Sequence, residues 1–250
     1  MNDTDIEQLI EDHKIDKLDL SMFSQADMLN VILQRSRVIY DVPRGGRAIQ
    51  NWSKGNEDDL ADIVEDKGLV LVQRAMAIMA SEFEALEPEM KKFKPKKVAD
   101  IGCGYAFIDY FIWKKFKCDL LLIDIEESEN RNFGFRMHGA GYSNLKNAEK
   151  FLKANGVPKK DIKTVNPNKK SLSRTKDIDI AFSLLSCGFH YPMATYSEFF
   201  EKSVRKGGAV IVDIGVRDEW RAKDAIEAIG PITEKLPLDN NTFRTIIQKA

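Results

Sequence analysis

The stretch Val98-Ala-Asp-Ile-Gly-Cys-Gly-Tyr-Ala106 is an apolar run that leads directly into a glycine-rich turn. A helix is predicted immediately after it, near residues 106–116. Gly102 and Gly104 allow the backbone to approach a ligand closely and to adopt φ values that a side chain would penalise. The N–H groups at the start of the helix would then face that ligand. The stretch therefore predicts a strand, a turn and a helix built around a bound molecule.

A carboxylate follows at the spacing that this interpretation requires. Leu120-Leu-Leu-Ile-Asp124 is a second apolar run, and it ends in an acid twenty residues after Gly104. An acid at this distance can accept hydrogen bonds from both ribose hydroxyls of a nucleotide. Either feature alone is a weak signal, whereas the two together favour a nucleotide-type site.

From Val98 onward, short β-rich runs alternate with amphipathic segments, which is typical of βαβ units around a mainly parallel sheet. We predict an α/β fold with a Rossmann-like, doubly wound sheet. The predicted strands lie near residues 98–101, 119–124, 162–165, 178–185 and 208–214, and the helices near 106–116, 143–155, 195–205 and 218–229. Two further β-like runs, 233–238 and 242–248, flank Asp239-Asn-Asn241 and predict a C-terminal antiparallel hairpin.

The chain before this region is predicted to be helical. Apolar residues recur at helical spacing in residues 28–34 and 69–80. Asp41-Val-Pro-Arg-Gly-Gly-Arg47 separates them and predicts a loop. We therefore divide the chain into a helical cap or lid region, residues 1–95, and a ligand-binding domain, residues 96–250. The basic stretch 91–97 is interpreted as a solvated connector.

Composition limits the class of partner. The 250 residues include 38 Lys and Arg against 39 Asp and Glu, so the net charge of −1 provides no general attraction to nucleic acid or an anionic membrane. Apolar runs end well short of the ~20 residues that a membrane span requires. The polar, acidic opening segment and three cysteines without zinc spacing lead us to expect a cytoplasmic protein. The oligomeric state stays open.

Residues 98–104, Ile123-Asp124 and the terminal hairpin resemble the class I S-adenosylmethionine-dependent methyltransferases, over about residues 96–250. The resemblance implies a transferase with S-adenosyl-L-methionine as its cofactor. It implies that Asp100 holds the methionine amino group, that Asp124 binds the ribose and that Ile125 flanks the adenine. The cofactor-binding set that we predict is Asp100, Gly102, Cys103, Gly104, Asp124, Ile125 and Ser183.

The motif departs from the family pattern at one position, since Ala106 replaces the third glycine of Gly-x-Gly-x-Gly. A methyl group is a small intrusion, and we expect alanine to favour the helix there. An NAD site fits less well, because Gly-x-Gly-x-x-Gly requires glycine at the position of Phe107.

The loop after the fourth predicted strand, Cys187-Gly-Phe-His-Tyr-Pro192, should lie beyond the carboxyl end of the sheet, where ligands bind. His190 is our candidate catalytic residue, because a histidine can accept a proton from a hydroxyl or amine near neutral pH. The alternative is a histidine that hydrogen-bonds the backbone and shapes the turn, with Phe189 and Tyr191 as walls of the acceptor pocket. Base catalysis is often unnecessary for amine or thiol acceptors.

The long connection from Glu126 to about residue 160 contains Phe133-Gly-Phe-Arg-Met-His-Gly-Ala-Gly-Tyr142. It is interpreted either as a mobile loop over the acceptor or as a surface loop packed on the sheet. Arg44 is similarly placed in a lid or on a solvated linker. The candidate substrate-binding residues are His138, Tyr142, Phe189, Tyr191 and Arg44.

The Ser-Cys-Gly-Phe-His-Tyr-Pro segment and Gly-Ala-Gly-Tyr distantly resemble a bacterial group of sugar O-methyltransferases, which implies a small-molecule acceptor methylated at oxygen or nitrogen. One alternative is an RNA- or protein-directed methyltransferase using Lys159-Lys160 and Lys169-Lys170, although no Asn/Asp-Pro-Pro-Tyr/Phe/Trp signature follows the fourth strand. Another is a non-catalytic cofactor-binding protein. No metal is expected, because neither Asp179 nor Asp213 has the neighbours that a magnesium or zinc site needs.

Overall fold

The computed structural model describes residues 3–126, 142–239 and 241–250. The helices in these ranges are α1 (Asp3–Asp12), α2 (Gln25–Gln34), α3 (Gly45–Ser53), α4 (Asp58–Lys67), α5 (Val70–Lys92), α6 (Phe107–Phe116), α7 (Leu145–Ala154), α8 (Ser197–Ser203) and α9 (Glu219–Ile229). The strands are β1 (Lys97–Ile101), β2 (Asp119–Ile123), β3 (Ile162–Val165), β4 (Ile178–Ser183), β5 (Val204–Gly215), β6 (Ile232–Asp239) and β7 (Thr242–Gln248).

These strands form one sheet in the order β3-β2-β1-β4-β5-β7-β6. Strands β1 to β5 are parallel, whereas β7 runs antiparallel to β5 and forms a hairpin with β6. Parallel strands covered on both faces are apolar along their length, and every residue of β4 is buried. The predicted doubly wound, Rossmann-like sheet with a C-terminal hairpin is confirmed.

The predicted element boundaries differ from the observed ones at β4 and β5. Strand β4 ends at Ser183 rather than residue 185, because Leu185 takes a left-handed φ of 52° and its N–H donates to Asp213. Strand β5 begins at Val204, so the helix predicted over 195–205 ends at Ser203. The predicted loop 41–47 is also too long, since α3 begins at Gly45.

Ala106 corrects another expectation. It does not begin the helix but precedes it, with a left-handed φ of 59°, and α6 starts at Phe107. This is a backbone region in which glycine has no steric penalty and alanine does. Glycine would be unstrained at this position, whereas the buried alanine adopts the left-handed backbone at a steric cost.

The helical region forms one layer against the sheet. Helix α5 packs on α6, and Met76 and Leu86 belong to the same hydrophobic cluster as Val98 and Phe182. The opposite face of the sheet is covered by α8 and α9. The predicted boundary near residue 95 falls between α5 and β1. Because the core is continuous across that boundary, α5 is part of the same folded unit as the sheet.

A polar hub attaches α2 to the glycine turn. Asp27, only 4% exposed, accepts hydrogen bonds from Tyr105 Oη at 2.8 Å and Asn147 Nδ2 at 2.9 Å. Ser24 caps α2 with its side chain, which accepts from Asp27 N–H, and the Asp27 carboxylate accepts from Ser24 N–H in return. The hub connects the first turn of α2 with the glycine turn and with α7. It therefore fixes α2 beside the carboxyl edge of the sheet. None of the described helices combines the length and apolarity needed to cross a membrane.

Candidate functional site

The glycine turn lies at the carboxyl end of β1. Gly102 has a φ of 77°, and the N–H groups of Gly102 and Cys103 donate to Ile123 O at 2.8 and 3.2 Å. A Cβ on Gly102 would overlap Ser186 Oγ of the loop after β4. Glycine is therefore required here both for the backbone conformation and for the approach of Ser186.

The space beside Gly104 is filled by a side chain from α2. A Cβ on Gly104, whose φ is 57°, would lie 2.9 Å from Gln34 Oε1. The Gln34 amide nitrogen donates to the carbonyl of Tyr142. The atoms over the turn thus belong to the flexible end of a side chain rather than to backbone. Rotation of Gln34 would expose the turn to a ligand.

Asp124 joins the turn to the end of β2. Its Oδ2 accepts from Gly104 N–H at 2.9 Å, and its Oδ1 accepts from Glu126 N–H at 2.8 Å and Ser143 Oγ at 2.7 Å. Burial raises the pKa of this carboxyl, and the three donors oppose that rise. A carboxylate has about four acceptor positions, so the three donors found among the described residues leave roughly one for a ligand, and a second if Ser143 yields its place.

The segment after Asp124 is held by residues that the sequence analysis missed. Asn166 Nδ2 donates to Ile125 O at 2.9 Å and to Glu126 Oε2 at 3.0 Å. Glu126 Oε1 also accepts from the N–H of Leu145 at 3.1 Å. Asn166 directly follows β3, and a polar residue at a strand's carboxyl end was the available signal. These bonds fix the backbone of Ile125, the predicted adenine neighbour.

Two carboxyl groups meet beneath the turn. Asp100 is the penultimate residue of β1 and is 4% exposed, and Asp109 in α6 is 1% exposed. Neither oxygen of Asp109 has a described partner other than the Asp100 carboxyl that faces it. Burial raises the pKa of both groups, and their mutual repulsion raises that of Asp100 further. Such a pair holds a shared proton.

Arg35, the residue that follows α2, is a cation whose charge acts on Asp100. Its guanidinium Nη2 lies 3.5 Å from Met79 Sδ, a weak acceptor, and no ion pair joins it to a carboxylate of the described residues. Burial lowers its pKa, while Glu82, Asp213 and Asp100 act at longer range to raise it. Arg35 is therefore a half-buried cation without an adjacent anion in the described part of the chain.

Ser183 fixes the loop after β4. It is fully buried, its Oγ donates to Ile101 O at 2.7 Å, and it accepts from Cys187 N–H at 2.8 Å. The hydroxyl is used within the protein, so Ser183 positions the loop and Ile101 rather than presenting a group to solvent. Burial also raises the pKa of the Cys187 thiol above its ordinary value.

The loop after β4 presents a partly exposed group of aromatic side chains. The rings of Phe189 and His190 are in edge contact at 5.0 Å, and the N–H of His190 donates to Ser186 O at 2.7 Å. Ser186 Oγ lies 3.2 Å from Tyr191 Oη. Burial raises the pKa of the Tyr191 phenol well above its usual value, so it stays protonated. Ser186 therefore connects the predicted acceptor loop with Gly102.

The remaining predicted substrate residues are more dispersed. Tyr142 lies beside Gln34 and its ring contacts Trp52 edge-on at 5.6 Å. Arg44 is exposed just before α3, eight residues and about 12 Å of helix from Trp52. His138 lies outside the described residues. Within the described ranges, no group of three or more His, Cys, Asp or Glu is arranged to hold a metal ion.

The strand order and the glycine turn at the carboxyl end of β1 define a Rossmann-like α/β protein. No protein-family model matches the chain, and no curated protein matches its sequence.

Solved structures resemble the chain in fold. A methyltransferase from Pyrococcus furiosus is 15% identical over 69% of this chain and 83% of its own, with a TM-score of 0.46. A SAM-dependent methyltransferase from Aquifex aeolicus is 15% identical over 66% of this chain and 89% of its own, with a TM-score of 0.46. An O-methyltransferase family protein from Burkholderia thailandensis is 11% identical over 71% of this chain and 60% of its own, with a TM-score of 0.43.

Proposed function

We propose that this protein is an S-adenosyl-L-methionine-dependent methyltransferase that acts on a small-molecule acceptor, at oxygen or nitrogen. One observation carries the proposal: the hydrogen bond from Gly104 N–H to Asp124 Oδ2, 2.9 Å long, joins the glycine turn to the acid. The two motifs that the spacing pairs are thus in contact at the carboxyl edge of the sheet, where ligands of this fold class bind.

The residues fit an adenosyl group if one side chain moves. Gly102 and Gly104 both have positive φ and carry no side chain, so their backbone can approach a ligand closely once the neighbouring side chains move. Gln34 reaches over Gly104 only with its terminal amide, so the turn opens by rotation about side-chain bonds. With respect to the described residues, Asp124 keeps an acceptor position for a ribose hydroxyl. Cys103 contributes backbone, and Ile125 contributes an apolar neighbour.

The bound cofactor supplies an electrophilic methyl group. The chain's residues orient it: Asp100 receives the amino group, Asp124 the ribose, and Ser183 holds the loop that closes the site. Much of the rate of such a transfer comes from fixing the acceptor in line and excluding water. Phe189, Tyr191 and Tyr142 provide apolar walls for that purpose.

His190 is the proposed base on the acceptor side. It is partly exposed, and its backbone is fixed by the bond to Ser186 O, so the ring is presented from a rigid turn. His138 and Arg44 complete the proposed acceptor contacts. A net charge of −1 gives no general attraction to nucleic acid and favours a small acceptor over RNA.

The cofactor assignment is tested by calorimetry with S-adenosylhomocysteine. Asp124→Ala should weaken binding by about 1.5–3 kcal/mol, because a charge-assisted hydrogen bond is lost. Asp124→Asn, which keeps one acceptor oxygen, separates ribose recognition from support of the turn, and Asp119→Ala on the exposed end of β2 is the matched control. Unchanged affinity in both Asp124 variants would reject the ribose role.

The reaction is tested by incubating purified protein with labelled S-adenosylmethionine and a broad metabolite panel. Release of S-adenosylhomocysteine with one acceptor class identifies the substrate, and no release with any acceptor favours a non-catalytic binder. With an acceptor in hand, His190→Ala should lower turnover by roughly 10²–10⁴ without changing cofactor affinity. An unaffected rate would assign His190 to the shape of the loop.

A further inference from the structure

Asp213 of β5 contacts the loop after β4 at two points. Its Oδ2 accepts a hydrogen bond from the N–H of Leu185 at 3.0 Å. Gly188 lies against the backbone of the same residue, because a Cβ added to Gly188 would be 3.0 Å from Asp213 O. One residue of the sheet therefore holds the loop at two positions that are three residues apart along it.

The first of these contacts holds a strained backbone. Leu185 has a φ of 52°, a left-handed conformation that a residue with a side chain adopts at a steric cost. Strain of this kind persists where the surroundings fix it, and it is common at functional sites. The carboxylate of Asp213 supplies a charge-assisted acceptor for the Leu185 N–H, and such bonds are stronger than those between neutral groups. The bend from β4 into the loop is thus maintained by Asp213.

The carboxylate of Asp213 is itself held in one orientation. Arg244 Nε and Nη2 donate to its two oxygens at 2.8 and 3.1 Å, and Arg244 Nη2 also lies 2.8 Å from Glu82 of α5. Asp213 is fully buried. Because both oxygens are fixed, the direction of the bond to Leu185 is set by β7 and α5. The loop is therefore attached to the rigid part of the fold.

The loop that Asp213 holds carries the proposed acceptor groups. The N–H of His190 donates to Ser186 O at 2.7 Å, which connects the candidate base to the start of the turn. Ser186 also lies against the glycine turn, where its Oγ would overlap a Cβ on Gly102. A displacement of the loop at Leu185 would therefore move His190 relative to the glycine turn.

We propose that Asp213 is a positioning residue for methyl transfer, and that it sets the placement of the loop after β4 over the glycine turn. The inference rests on the proposed function, because it concerns the acceptor side of the same site. Asp213 acts through Leu185 and Gly188 rather than by touching a ligand. The role holds whether His190 accepts a proton or shapes the acceptor pocket. Loss of Asp213 should impair the transfer step and leave cofactor binding intact.

Two variants disturb the two contacts separately. Asp213→Asn keeps the size of the side chain but replaces one of its oxygens, so that Arg244 or Leu185 faces an amide N–H₂ instead of an acceptor. Gly188→Ala leaves the ion pair in place and puts a methyl group against Asp213 O, at a residue whose φ is 94°. Glu82→Gln is the matched control, because it alters the other partner of Arg244 and leaves both loop contacts unchanged.

The first readout needs no acceptor. It is the NMR signal of the His190 ring, whose chemical shift depends on the aromatic rings of the loop around it. The chain has three histidines, and His190→Gln assigns the signal. Asp213→Asn and Gly188→Ala should both shift it, whereas Glu82→Gln should leave it in place, with His13 as the internal reference. A His190 signal that is unchanged in either loop variant, or that shifts equally in Glu82→Gln, would overturn the proposal.

The second readout separates transfer from binding. With the acceptor identified from the metabolite panel, kcat of Asp213→Asn and of Gly188→Ala should fall by about 10- to 100-fold, as expected for misplaced reacting groups. Calorimetry should give dissociation constants for S-adenosylhomocysteine within about twofold of the wild-type value. An unaltered kcat, or a loss of affinity as large as the loss of kcat, would contradict the positioning role.

The failure of this inference is distinguishable from the failure of the proposed function. Wild-type protein that does not bind S-adenosylhomocysteine would refute the proposed function. Wild-type protein that binds S-adenosylhomocysteine, with a His190 signal and a kcat that Asp213→Asn leaves unchanged, would refute the positioning role alone.

Discussion

Two buried clusters of charge lie at the same edge of the sheet, and they differ in how they are neutralised. In the Asp213 cluster, Arg244 Nε and Nη2 donate to Asp213 at 2.8 and 3.1 Å, and Nη2 also lies 2.8 Å from Glu82. In the Asp100 cluster, Asp109 and Arg35 have no such partners among residues 3–126, 142–239 and 241–250. Asp213 is 0% exposed and Asp109 is 1% exposed, so burial alone does not distinguish them.

The difference shows which charges the fold itself requires. Asp213 and Arg244 are directly opposed residues of β5 and β7, so forming the hairpin brings the pair together. Asp213 Oδ2 also accepts from Leu185 N–H and holds the start of the loop after β4. The pairing is complete without any ligand. The Asp100 cluster is assembled from residues of β1 and α6 and from the residue that follows α2. Within the described residues, its charged groups are not paired with opposite charges in the same way.

Breaking the complete cluster should have the largest effect. Arg244→Met leaves the carboxylate of Asp213 buried without a cation, and this should reduce the free energy of unfolding by about 3–5 kcal/mol. Urea denaturation measures it. Arg221→Met, which removes an exposed ion pair with Asp218, should reduce it by less than about 1 kcal/mol. Similar losses for the two variants would show that the buried pair is not a structural requirement.

A smaller effect should follow from changing pH at the incomplete cluster. Burial raises the pKa of Asp109 to about 7, well above that of an unfolded chain. Between the ordinary pKa of 3.8 and the folded value of about 7, the folded protein holds more protons on this group than the unfolded chain does. The contribution of the group to stability is therefore greatest at low pH and is lost as pH rises through 7. The acid pair should make the protein less stable at pH 8 than at pH 5 by about 1–3 kcal/mol.

Asp109→Asn is the variant that isolates this contribution. It should flatten most of the loss of stability between pH 5 and pH 8, because the shared proton is replaced by an amide that is neutral throughout. Asp119→Asn, on the exposed end of β2, should leave the slope as in the wild type. A slope that is unchanged in Asp109→Asn would place the titration elsewhere, in Asp100, Asp124 or Asp213, whose pKa values burial also raises.

The parts of the site that follow from the sequence are the local ones. The glycine turn and Asp124 are encoded by a motif and a spacing, and their contact depends only on the parallel pairing of β1 with β2. The C-terminal hairpin was similarly visible as two β-like runs around a turn. The register of the hairpin against β5, which sets Asp213 opposite Arg244, is not visible in the sequence. A shift of one strand along the other would leave the composition of both strands unchanged.

Other parts depend on tertiary contacts that no local pattern contains. Gln34 and Arg35 reach the site because Asp27 of the same helix bonds Tyr105, a contact between residues 78 positions apart. Asp109 did offer a signal, as an acid within the apolar run Phe107-Ile-Asp-Tyr-Phe-Ile112. A charge inside such a run indicates either a buried partner or a binding role. Ala106 was misjudged because helix propensity says nothing about a residue held at positive φ.

The smallest effect is expected at Arg35, and it is the sharpest contrast with Arg244. Both are arginines at the same edge, but burial lowers the pKa of Arg35 whereas the ion pairs of Arg244 raise its pKa. The folded state therefore disfavours the charge on Arg35. Arg35→Met should change the free energy of unfolding of the ligand-free protein by less than about 1 kcal/mol. Its melting temperature should be unchanged or slightly higher. A loss comparable to that of Arg244→Met would mean that the Arg35 guanidinium supports the fold despite having no ion pair among the described residues.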